Sequence, residues 1–242
     1  MIDNPNSPVF PAPGSISNAI LVLFVGWALG ILSSPITDAI RRRSIKLRIT
    51  RAVITELQSL QDAFANIVIQ VSRRRGLLTR SLLEALRANL ISTGQASDTA
   101  KTLKLIDDLL LLDETALAAE RPAHASGPRT LLALRVQGLP FLESHLHRLD
   151  FFSHETQRRL LAIHAGLQVF NQHADEAMHY HMLTFNEGVS PDHLTALTHN
   201  IEASYGRAAE KASELVSQIA ALLQSREMAA VLRSRGTTLA ER

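Results

Sequence analysis

No charged residue interrupts the chain between Asp3 and Asp38, and the segment that follows, 41–80, carries ten Lys and Arg against two acids, Glu56 and Asp62. That order constrains the fold more than any other feature. Within the uncharged interval, Ile16 to Ile36 is a 21-residue apolar run, polar only at Ser17, Asn18, Ser33 and Ser34. A helix of that length rises about 30 Å, the thickness of a bilayer's hydrocarbon core. A soluble helix needs a polar face, and Ala19 to Leu32 offers none.

An export signal begins with basic residues and ends in small ones. Here the order is reversed. The first fifteen residues hold one acid, no Lys or Arg, and Pro5, Pro8, Pro11 and Pro13, which favour an extended coil. By the positive-inside rule the basic cluster stays in the cytoplasm and the short N-terminus crosses. The expectation is an uncleaved anchor over 16–40 with a Pro-rich tail, 1–15, outside. Trp27, Arg41, Arg42, Arg43, Lys46 and Arg48 are the expected lipid contacts, because juxtamembrane cations attract anionic headgroups. Gly26, Gly30 and Ser34 recur every four residues, the spacing that lets two membrane helices approach closely, and are the candidate self-association face.

Beyond the anchor the pattern is helical. The chain is 46% hydrophobic, rich in Leu and Ala, with 8 Phe, 1 Trp and 2 Tyr, a balance that favours helices over strands. With no cysteine, disulfides and thiolate chemistry are excluded. Val53, Leu57, Leu60, Phe64, Ile67 and Val71 step by three or four residues, a seam that "SRRRG" should end at Gly76. Further helices are expected over Leu77–Leu90, from a Ser97 cap to about Glu120, and over Thr130–Leu149 with a bend or break at Gly138-Leu-Pro140. "RPAHASGP", 121–128, reads as a loop. Ser153 should cap a long helix to about Asn186, with its seam at Leu160, Ile163, Leu167, Phe170, Ala174, Ala177 and His181. Ser190 with Pro191 should start the last one, whose seam runs from Leu194 to Leu222. The fold class is therefore all-α: one N-terminal transmembrane helix, then an elongated antiparallel bundle with coiled-coil-like packing over 41–235, and a frayed tail at 236–242.

All ten histidines lie between His124 and His199. The densest group, "NQHADEAMHYH", contains His173, Glu176, His179 and His181, and Glu176-Ala-Met-His179 has the E-x-x-H spacing of di-iron bundles. A di-iron site needs a second such motif, and the chain has none. Glu176 and His179 also fall about 140–160° from the apolar seam of their helix, so they face outward. His173, Glu176 and His179 are thus weak metal candidates, and His181 is a core or interface histidine. Leu161, Val169 and Leu183 form a sparse apolar line on the outward side. No zinc-protease, phosphate-loop or nucleophile-elbow motif is present, and the 11 glycines stand singly. No cofactor and no catalytic activity are expected. Arg73, Arg74 and Arg75 read as a solvated turn, or as partners for acids of neighbouring helices. Without interleaved aromatics they do not suggest nucleic acid.

The layout of outside tail, single span, basic knuckle and "ITRAVITELQSL" leading into a bundle resembles that of single-span bacterial inner-membrane proteins, with no diagnostic motif that assigns a family. The expected function is protein–protein interaction by a membrane-anchored bundle, as scaffold, adaptor or sensor. Its expected partners are the bilayer, other copies of itself and a protein. Two further readings stand beside it. One is a membrane effector, of toxin or antiphage type, whose spans oligomerise to permeabilise the bilayer, and the other is a metalloenzyme using Glu176 and His179.

Overall fold

A computed structural model describes residues 13–93, 99–119, 132, 134–186 and 188–240. Among these residues the chain is all α-helical, without strands: α1 (Pro13–Arg75), α2 (Arg80–Ser92), α3 (Thr99–Leu110), α4 (Glu114–Ala119), α5 (Pro140–Ser144), a 3-10 turn at Leu146–Phe151, α6 (His154–Leu183), α7 (Pro191–Leu223) and α8 (Arg226–Ala240). The chain divides into two units, Met1–Arg48 and Ile49–Arg242.

In the first unit α1 is helical from Pro13, and the described side chains at Leu21, Leu23, Phe24, Val25 and Trp27 are all exposed. Among the described residues no helix is long and apolar enough to cross a membrane. The side chains of 13–20, 22 and 28–36 lie outside the description, and they make up much of the expected span.

The second unit is built around the rest of α1. Its expected seam is buried at every position, Val53 and Val71 at 1% exposure and Leu57 and Phe64 at 0%. The seam is wider than its spacing implied, because Ile54, Gln58, Gln61, Ala65, Val68, Ile69 and Ser72 are buried too. At 100° per residue these positions cover roughly 200° of the helix, the signature of a central element rather than a peripheral one. Phe64 meets Phe170 of α6 edge-on, ring centroids 4.8 Å apart. Gln61 Nε2 donates to Val216 O of α7 at 3.3 Å and to Asn89 O of α2 at 3.4 Å, while its Oε1 accepts from Thr93 Oγ1 at 3.0 Å. Gln58 donates to Thr93 O at 2.7 Å, and Asn66 to Thr102 Oγ1 of α3 at 2.8 Å. Pairing Gln61 with Val216 and Arg74 with Glu202 shows α1 and α7 running antiparallel.

Helix ends follow from local chemistry. Gly76 takes a φ of +65°, Leu77 N donates to Ser72 O at 2.8 Å, and Gly76 N donates to Arg73 O at 3.2 Å, the bonds of a Schellman stop. The next helix begins at Arg80, where the Thr79 hydroxyl accepts from Leu82 N. Its first residue, Arg80, reaches the carbonyls of Leu110 and Leu112 at 3.1 and 2.8 Å and so satisfies the free end of α3. The expected single helix to Glu120 is divided, because Asp113 accepts from Ala116 N at 2.7 Å and caps a new helix, α4. Ser97, the loop 121–128 and most of 120–133 lie outside the described residues.

Of the expected helix over Thr130–Leu149, broken at Gly138-Leu-Pro140, only the part from Pro140 is helical among the described residues. Residues 134–139 are irregular, and only α5 and the short 3-10 turn follow. Pro140 sits at the first turn of α5, where its missing N–H costs nothing. Ser153 and Ser190 cap α6 and α7 as expected, their hydroxyls accepting from Thr156 N and His193 N, with Pro191 at the first helical position. The α6 seam is buried throughout; on α7 only Leu194 is less than fully buried. Gly166 marks the close approach of these two helices: a Cβ there would stand 2.9 Å from Leu215 Cδ2. After a break at Gln224 and Ser225, α8 carries helix to Ala240, past the point where fraying was expected. Glu227 ties it to the start of α6, accepting from Thr156 Oγ1 at 2.9 Å.

Candidate functional site

On α6 the outward direction of Glu176 and His179 is as their spacing dictates, Glu176 half-buried and His179 exposed. Glu176 is engaged by three neighbouring side chains. Its Oε2 accepts from His173 Nδ1 at 3.2 Å and from Arg207 Nη2 of α7 at 3.1 Å, and its Oε1 from Gln172 at 3.2 Å. The His173 hydrogen bond, joined by those of Arg207 and Gln172, outweighs burial and holds the carboxyl below its usual range. His179 turns to Tyr180 instead, ring centroids 5.8 Å apart. Among the described residues no three His, Asp or Glu side chains converge as a metal site requires. His181 is buried at 6% exposure, its ring edge-on to Phe185 at 5.0 Å. Burial, with the Arg74 charge second, pushes its pKa down. Of the outward apolar line, Leu161 and Val169 are exposed at 49% and 42%, and Leu183 is half-buried.

Arg73, Arg74 and Arg75 are more than a solvated turn. Arg74 Nε donates to Glu202 Oε1 of α7 at 2.7 Å, its side chain 8% exposed, and its guanidinium carbon lies 5.2 Å from the centre of the Tyr205 ring. Burial raises the Tyr205 pKa, so the phenol stays protonated. Arg75 lies over Gly206, where a Cβ would come within 2.6 Å of Nη1. A Cβ there would be accommodated by a shift of the exposed Arg75 side chain. The meeting of Arg74 with an acid of another helix was legible in the sequence only as a class of contact. Neither spacing nor composition pointed to Glu202, 128 positions away.

Sequence spacing also gave no sign of a set of side chains that grip main chain. Tyr205 Oη accepts from Leu132 N at 2.9 Å and donates to Leu132 O at 3.1 Å. Asn171 Oδ1 accepts from Gln137 N at 2.9 Å, and its Nδ2 donates to Gln137 O at 2.8 Å. Glu56 of α1 accepts from Phe141 N and Leu142 N at 2.8 and 3.0 Å.

In the first unit Arg41, Arg42, Arg43 and Arg48 are exposed and Lys46 half-exposed, while Trp27 leans on Phe24 at 6.0 Å between ring centroids. A Cβ at Gly26 would meet nothing within 4 Å; Gly30 and Ser34 lie outside the described side chains. The fold and these contacts define an all-α antiparallel bundle with an apolar interior, its helices also stitched by Gln, Asn and Arg side chains. Compared with protein-family models, curated proteins and solved structures, the chain has no significant match.

Proposed function

We propose that the chain is a single-pass membrane protein whose helical bundle stands in the cytoplasm and acts by binding other proteins, as scaffold, adaptor or sensor, without catalysis. The observation that carries this reading is the exposure of Leu21, Leu23, Phe24, Val25 and Trp27 at 48–76%. At 100° per residue they spread over roughly 200° of the helix, and lipid is a solvent that matches so broad an exposed apolar surface. The charge order places Arg41 to Arg48 on the inner side, where each cation near anionic lipid contributes about 1 kcal/mol. The bundle's polar side chains support a binding role because they are committed to holding helices together, Glu176 to Arg207 and Arg74 to Glu202 among them.

The test is a crosslinked pull-down from native membranes, with protease accessibility in spheroplasts. The expected result is recovery in the membrane fraction, a bundle protected from outside protease, and a stoichiometric partner. A chain released into the soluble fraction, or a bundle cut from outside, ends the anchored reading. Depolarisation of cells on overexpression would favour the effector reading, for which the open surface at Gly26 offers the packing face.

A further inference from the structure

The segment Leu132–Leu142 is held in a way that resembles a bound peptide more than a connecting loop. Its described residues before α5 make one internal backbone bond, Leu134 N to Leu132 O at 2.8 Å, and its main chain is gripped by side chains from three helices. Tyr205 of α7 takes both the N–H and the C=O of Leu132, and Asn171 of α6 both those of Gln137. Such two-point grips on main chain are indifferent to the side chains of whatever lies there. Side-chain selection falls to the anchors. Leu134 is 7% exposed and Leu139 is fully buried, while Arg135, Val136, Gly138 and Pro140 between and beside them are exposed. The pattern accepted is an apolar residue, four tolerant positions, and a second apolar residue.

We infer that the Asn171–Tyr205 face is a peptide-recognition groove, occupied in cis by Leu132–Leu142, and that its partner is an irregular or extended peptide of another protein with apolar anchors five residues apart. The segment in place is the guide to what fits. Its grips serve any main chain, and the positions to be matched are Leu134 and Leu139, with Leu142 buried at the segment's end. The cis segment acts as a built-in competitor at an effective concentration on the order of millimolar, so a partner peptide binds when the segment is released. This names the kind of partner for the binding role proposed above and rests on that role.

The experiment uses the full chain in detergent micelles and a fluorescent synthetic peptide of residues 130–142. A variant with Leu134→Ala and Leu139→Ala weakens the cis segment and leaves the groove intact. It should bind the peptide about tenfold more tightly than the wild-type chain, since loss of the intramolecular competitor exposes the site. Adding Asn171→Ala, or Tyr205→Phe, which keeps the ring under Arg74, should reverse that gain. No binding to the weakened chain, or binding indifferent to both groove substitutions, overturns the proposal. Capture of a wild-type chain in place of the peptide makes the occupant a second copy and overturns it as well. If the double variant loses its cooperative melt, hydrogen exchange on the wild-type chain decides. Millimolar peptide should accelerate exchange at the Leu132 and Gln137 amides, and unchanged protection there refutes the groove. A partner recovered from membranes alongside failure of these peptide tests would sink the groove and spare the binding role.

Discussion

Two stretches of one helix make the sharpest contrast in the molecule. Leu21 to Trp27 and Val53 to Val71 are both apolar and both belong to α1, yet the described side chains of the first are exposed and the seam of the second is sealed. The apolar residues themselves do not distinguish them. The second stretch carries Gln58, Gln61 and Asn66 among its apolar residues, and each finds a bond on a neighbouring helix. Those amides specify which helices lie against it and in what register. The first stretch has no such residue between Ala19 and Leu32. It asks only for an apolar surrounding, whereas the second asks for particular neighbours.

The contrast can be broken from either side. Phe64→Ala removes a buried ring that packs on Phe170 and should cost roughly 3–5 kcal/mol, read as a lowered midpoint of denaturant unfolding. Phe24→Arg should leave that midpoint unchanged. Its effect should fall on membrane retention, by about 2.5–3.5 kcal/mol of insertion free energy, read as release into the soluble fraction on carbonate extraction. If Phe24→Arg destabilised the bundle instead, the two stretches would not be independent. Gln61→Leu sharpens the comparison by making the second stretch as featureless as the first. Loss of its bonds to Val216 and Thr93 should cost about 1–2 kcal/mol by thermal unfolding.

The smallest effect is on pH dependence. His181 has a folded pKa below its unfolded value near 6.5, so the unfolded chain takes up the proton first as pH falls. Stability should be complete above about pH 6.5 and decline from there towards the folded pKa. The melting temperature should drop between pH 7.5 and 5.5, and His181→Gln should remove part of that drop. An equal drop in the variant would assign the dependence to other groups.

Where local rules decide, the sequence was readable. Ser153, Ser190-Pro191 and Gly76 are caps and stops whose chemistry is complete within five residues, and the structure places them accordingly. The same locality gave the outward direction of Glu176 and His179 on α6. Reading failed where distant side chains overrule a local pattern. "LLALRV" has the composition of a helix, but Tyr205 and Asn171 take the backbone groups that a helix would pair internally, and Gly138 with Pro140 prevents its continuation. Asp113 was a missed cap because the apolar run before it suggested uninterrupted helix. The breadth of α1's buried arc was hidden for a similar reason, since Gln58 and Gln61 look like surface residues until their partners are known.

The central position of α1 also has a consequence in time. Gln61 bonds to Val216, 155 residues later, and Arg74 to Glu202. At about 5–20 residues per second of synthesis, the covering strip of α7 emerges on the order of ten to thirty seconds after the helix it must cover. Throughout that interval Leu57, Phe64 and Val71 are already made and α7 does not yet shelter them. The nascent chain therefore passes through a waiting period in which the apolar seam of α1 depends on whatever meets it first.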